Sequence, residues 1–97
     1  MILYAITLKN IEHDANGLKN YVWATKSQVE KIGKLRNNPQ HRYDFIEIGN
    51  YIFSAMDISH IEKKDTKHYG GPIPKYAIDR YKEEESKKLN QNSQYLL

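Results

Sequence analysis

Two runs rich in apolar residues, Tyr43–Ile48 and Tyr51–Met56, meet at Gly49-Asn50. A two-residue turn there sets Ile48 opposite Tyr51 and Ile46 opposite Phe53, so Ile46, Ile48, Tyr51 and Phe53 share one face of a hairpin. The N-terminal segment carries the same period of two, with Ile2, Tyr4, Ile6 and Leu8 on one side and Leu3, Ala5, Thr7 and Lys9 on the other. It reads as a first strand. Asn16-Gly17 marks another hairpin, and centring a two-residue turn on it pairs Ile11 with Val22 and Asp14 with Lys19. That register puts Ile11 out of phase with Leu8 and calls for a bend or bulge near Lys9 and Asn10. The second strand covers Asn20–Ala24 and points Trp23 away from Val22, towards Asn10. Trp23 reads as a core residue on the other sheet face; left exposed, it would anchor an interface.

Thr25-x-x-Gln28 and Ser27-x-x-Glu30 both have the form of a capping box, so a helix starts there. Val29, Ile32 and Leu35 form its apolar stripe, and Asn37-Asn38-Pro39 ends it. Asp57–Glu62 reads either as a bent continuation of the preceding strand or as a short turn followed by another strand. Residues 63–74 are polar and close on Gly70-Gly71-Pro72-Ile73-Pro74, which predicts a loop. A last helix begins near Pro74, with Ile78, Tyr81 and Ala77 able to face a core. From Lys82 to Lys88 no residue is apolar. Glu83 with Lys87 and Glu84 with Lys88 are favourable pairs one turn apart, which predicts a solvated helix face. A frayed tail is expected over 90–97, although Tyr95-Leu96-Leu97 is more apolar than a purely solubilising tail needs.

The expected architecture is α+β: a small, mostly antiparallel sheet of four to five strands in two hairpins, one helix between the hairpins and a C-terminal helix. A chain of 97 residues supports one hydrophobic core, so 1–89 reads as a single domain. With no cysteine there is neither a disulfide framework nor a thiolate site, and the first residues lack a basic region and a cleavage site. A reducing cytoplasm is the expected compartment.

Enzyme chemistry finds no motif. The serines lack a nucleophile elbow, Gly70-Gly71 lacks phosphate-loop spacing, and the consecutive Glu83, Glu84 and Glu85 point in different directions. His13, His41, His60 and His68 have no metal-ligand spacing, so neither a metal nor a cofactor is expected. Charge is more informative. Lys26, Lys31, Lys34, Arg36 and Arg42 face only Glu30 over residues 26–42, a local excess of four positive charges. Lys63, Lys64, Lys67 and Lys75 face only Asp65 over 63–75. Two of these stretches place cations beside rings, in His41-Arg42-Tyr43 and Lys67-His68-Tyr69, the ingredients of a single-strand nucleic-acid binder. The candidate contact residues are therefore Lys31, Lys34, Arg36, Arg42, Tyr43, Lys63, Lys64, Lys67 and Tyr69, meeting either phosphate or an acidic protein surface.

The stretches Lys26–Leu35 and Phe45–Glu62, in a chain rich in residues with AT-rich codons, resemble small accessory proteins of phages and mobile elements from AT-rich Gram-positive bacteria. The resemblance implies a non-enzymatic protein that binds and inhibits a host or defence protein, in the manner of anti-CRISPR inhibitors. The other reading is a nucleic-acid-binding protein using the basic and aromatic patches. An unpaired edge of the first strand would also allow a homodimer through a continuous sheet.

Overall fold

β1 (Ile2–Leu8) is apolar on both faces except at Thr7, because both faces are covered. The computed structural model describes residues 1–9 and 21–95, with side chains through Lys88. β1 is the middle strand of a three-stranded antiparallel sheet, flanked by β2 (Val22–Ala24) and β5 (Ile58–Asp65). Between these lie α1 (Lys26–Arg36), a separate two-stranded hairpin of β3 (Ile46–Ile48) and β4 (Tyr51–Phe53), and a 3-10 turn over Ala55–Asp57. The chain then runs into α2 (Lys75–Tyr95). The class is α+β with antiparallel pairing throughout, but the strands divide into two sheets rather than one.

On one side of the sheet Ile6, Leu8, Val22, Ala24 and Ile58 pack with Ile32 of α1 and with Ile48 and Phe53 of the hairpin. On the other side Leu3, Ala5 and Trp23 pack with Ala77 of α2. Leu3, Ile6 and Val22 are fully buried. Trp23, 4% exposed, is a core residue, with Tyr21 and Tyr69 meeting its ring edge-on at centroid distances of 5.8 and 5.0 Å.

Three local expectations are corrected. Val22 pairs with Ile6 and Trp23 lies opposite Ala5, while the expected partner Ile11 lies outside the described residues. That register sets the apolar residues of β2 beside those of β1 on each face, a gain that the polar alternative around Asn10 does not offer. The Asn16-Gly17 turn and the Asp14–Lys19 pair lie outside the described residues. Lys63, Lys64 and Asp65 belong to β5, not to a loop: they pair with Tyr4, Leu3 and Ile2, because a strand at the sheet edge needs only its backbone to pair. The middle of α2 does not face solvent alone, because Glu84 is seated against α1.

The β3–β4 register is as expected, with Ile48 opposite Tyr51 and Ile46 opposite Phe53. Its turn works because Gly49 takes a φ of 58°, a conformation glycine adopts without a Cβ penalty. A Cβ on Gly49 would also lie 2.8 Å from Cε1 of Tyr76. The first turn of α2 thus packs on the hairpin turn. The Tyr76 hydroxyl accepts the Trp23 N–H at 3.0 Å, closing the outer edge of β2 at that residue. Burial pushes the Tyr76 phenol above its ordinary value, so it stays a neutral hydroxyl.

Candidate functional site

Thr25 decides where α1 begins. Its side chain accepts from the Gln28 N–H while Gln28 Oε1 accepts from the Thr25 N–H, so the first of the two possible capping boxes is the one formed. From that start Ile32 points into the core, and Leu35 packs against it partly buried. Lys31, Lys34 and Arg36 are left exposed, and none of them forms an ion pair among the described residues. Cations at Lys34 and Arg36 also suit the C-terminal end of the helix dipole.

Alternation in the hairpin settles the next surface. With Ile46 and Ile48 facing α1, the residues between and before them, Glu47 and Phe45, face out, and so does Ile52 opposite Glu47. Phe45 is 87% exposed and Ile52 66% exposed; Tyr43, in the connection from α1, is 70% exposed. Beside them a groove of about 300 Å³ runs between α1 and β3, with Ile32, Leu35, Phe45, Ile46 and Ile48 as its apolar lining and Gln28, Lys31, Glu47 and Arg80 as its polar lining. Three large apolar side chains in water next to an apolar groove form the strongest unpartnered feature among the described residues.

The other candidates disperse. Arg42 is half-buried beside the exposed Tyr43. Lys63 and Lys64 point to opposite faces of β5, since they sit opposite Tyr4 and Leu3. Lys63 borders a second groove of about 470 Å³ together with Tyr4, Ser27, Glu30 and Tyr81. Lys64 is engaged in a ladder on β5: its ammonium is 2.7 Å from Glu62, whose other oxygen lies 3.0 Å from His60 Nε2. The Lys64 hydrogen bond, with help from His60, holds the Glu62 carboxyl at about 2, and the same bond raises the Lys64 ammonium. Lys67 is exposed in the turn after β5, where its N–H donates to Asp65. Tyr69 is not a free stacking platform, because its ring is packed on Trp23. Of the nine candidates, Lys31 is the one in the apolar groove.

Two residues that sequence reasoning passed over matter here. Phe45 was legible in principle, because fixing Ile46 and Ile48 inward forces it outward. Glu84 was not. Its Oε1 accepts from the Thr25 hydroxyl at 3.1 Å and from the Ser27 hydroxyl, and Arg80 Nε lies 3.4 Å from Oε2. Burial alone would raise this carboxyl, but the Ser27 and Thr25 hydroxyls and Arg80 outweigh it and hold Glu84 below its ordinary value. A carboxylate from α2 thereby sits at the positive end of α1.

Among the described residues no cluster of His, Asp and Glu could hold a metal ion, and no helix is long and apolar enough to cross a membrane. No protein family, curated protein or solved structure matches the chain.

Proposed function

We propose that this chain is a protein-binding module that attaches to a host or defence protein through the α1–hairpin surface and inhibits it by covering it. The observation that carries the reading is the exposure of Phe45 at 87% beside the α1–β3 groove. Leaving a Phe side chain in water forgoes about 1.5–3 kcal/mol of burial, a debt that a partner's apolar residue would settle. Cations outnumber anions around it: Lys31, Lys34 and Arg36 on α1 are exposed and unpaired among the described residues, against Glu47 in the groove lining. The partner surface that fits is apolar at its centre and acidic around it. The resemblance to small accessory proteins of phages and mobile elements, which often bind host or defence proteins, supports the same reading.

The test is capture of partners by the tagged protein from bacterial lysate, with and without nuclease, followed by affinity measurements on whatever protein is retained. Phe45→Ala should weaken that complex by at least about thirtyfold, near 2 kcal/mol, and moderate salt should weaken it little. Retention of nucleic acid alone, with affinity falling steeply in salt and a shallower slope in Arg36→Ala, would replace this reading with nucleic-acid binding.

A further inference from the structure

We propose that the outer edge of β5 is a self-pairing surface, joining two copies of this chain in an antiparallel, two-fold β-sheet centred on Ile61. The inference is independent of the binding role assigned to the α1–hairpin surface.

The backbone parity of β5 follows from one bond. The Thr66 N–H donates to the Met1 carbonyl at 3.0 Å, and the register from that pair runs on through Ile2↔Asp65 and Leu3↔Lys64. In an antiparallel ladder, residues that exchange hydrogen bonds alternate with residues that do not. Lys64, Glu62 and His60 therefore direct their backbone groups at β1, while Lys63 and Ile61 direct theirs away from it. The same parity on the other side of β1 turns Trp23 outward, as its bond to the Tyr76 hydroxyl requires.

The two edges of this sheet are consequently unlike. On β2 the outward N–H of Trp23 is closed by Tyr76, whereas β5 ends the sheet and no backbone bond among the described residues is made to the outer groups of Ile61 or Lys63. Asp65 is partly used, because its carbonyl accepts from the His68 N–H at 3.0 Å. An unpaired strand edge is a template for another strand.

Charge selects both the partner and the register. A two-fold axis normal to the sheet sets a residue opposite itself, and directly opposed side chains interact most strongly. Centring on Lys63 opposes two ammonium groups, and centring on Glu62 opposes two carboxylates. Centring on Ile61 opposes Ile61 to its copy, His60 to the partner's Glu62, and Lys63 to the partner's Ser59. That register opposes no like charges between Ile58 and Lys64. It also covers the exposed part of Ile61, which is already packed on the core from the inside. The β-bulge between Thr7 and Leu8, opposite Ser59, limits regular pairing to a short stretch. The contact is therefore in the weak, reversible class, with half-association on the order of 100 micromolar.

Sedimentation velocity over a concentration series tests this. The wild type should move from one chain of 11.4 kDa towards twice that mass, and the Ile61 and Lys63 amides should gain protection from hydrogen exchange only at the high-concentration end. Lys63→Pro removes an outward N–H and leaves the β1 ladder intact, so it should keep the fold and abolish the dimer. Glu62→Lys should also give monomer, and adding His60→Glu should restore the dimer, because the swapped pair is complementary only in the Ile61-centred register. A wild type that stays monomeric into the millimolar range, a dimer untouched by Lys63→Pro, or failure of the charge swap to restore association would each overturn the proposal.

Discussion

Replacing Glu84 should destabilise the protein although the residue lies in a polar stretch of α2. Its side chain is 20% exposed and receives hydrogen bonds from the Thr25 and Ser27 hydroxyls at the start of α1. A hydrogen bond to a charged group contributes about 1.5–3 kcal/mol, and a carboxylate at a helix N-terminus adds about 0.3–1 kcal/mol. Against this, Glu84→Ala leaves Thr25 still engaged with Gln28 and frees Ser27 to meet water. A net loss of about 2 kcal/mol follows at neutral pH, and about half that for Glu84→Gln, which keeps one acceptor oxygen. Urea denaturation read by Trp23, the one tryptophan and a buried one, measures both. The pH dependence has a definite sign. The folded-state value of Glu84 lies below its ordinary 4.5, so the stability it contributes is fully present above pH 4.5 and is lost as pH falls through the lowered folded-state value. The gap between wild type and Glu84→Gln should therefore be constant from neutrality down to about pH 5 and shrink below it. A gap under about 0.3 kcal/mol at neutral pH, or one that widens with acid, would refute the assignment of Glu84 as the tie between the helices.

Two further substitutions probe how α2 is docked. Tyr76→Phe removes the acceptor for the Trp23 N–H and should cost about 1–2 kcal/mol; amide exchange at Trp23 should quicken with little change at Ala5 opposite. Gly49→Ala combines a left-handed backbone at φ 58° with a Cβ placed 2.8 Å from the Tyr76 ring, so a loss of at least about 1–2 kcal/mol is expected in thermal unfolding.

The legible parts of this fold are those where local pattern and burial agree. Ile46, Ile48, Tyr51 and Phe53 alternate about a glycine whose positive φ the turn requires, and their register was readable before any contact was known. β2 is the opposite case. Asn16-Gly17 is a strong local cue, yet Val22 and Trp23 align with Ile6 and Ala5, where both faces of the strand can be buried at once. Local turn chemistry says nothing about how much core each register closes. Lys63–Asp65 hid in plain composition, because an edge strand is held by backbone bonds to β1 and tolerates charged side chains. Glu84 escaped because apolar periodicity does not register a carboxylate whose partner is the start of another helix. Among the contact residues, charge alone grouped Lys63, Lys64 and Lys67 with Lys31; strand parity sends Lys63 and Lys64 to opposite faces, and packing withdraws Tyr69.

The two proposed surfaces are compatible with one another, and this has a consequence for binding. The groove is built by α1, β3 and Arg80 and uses no residue of β5. Pairing along Ile61 would therefore leave Phe45 and Lys31 open on both copies. A dimer would carry two equivalent grooves related by the two-fold axis, so a target that is itself two-fold or repetitive would be held at both ends. The second contact then forms at an effective concentration in the millimolar range rather than at the free concentration of the protein. A self-association too weak to populate a dimer alone would be drawn forward by such a target, because the target favours the paired form. Lys63→Pro should then weaken capture of a two-fold target while leaving affinity for a single isolated site unchanged, whereas Phe45→Ala should weaken both.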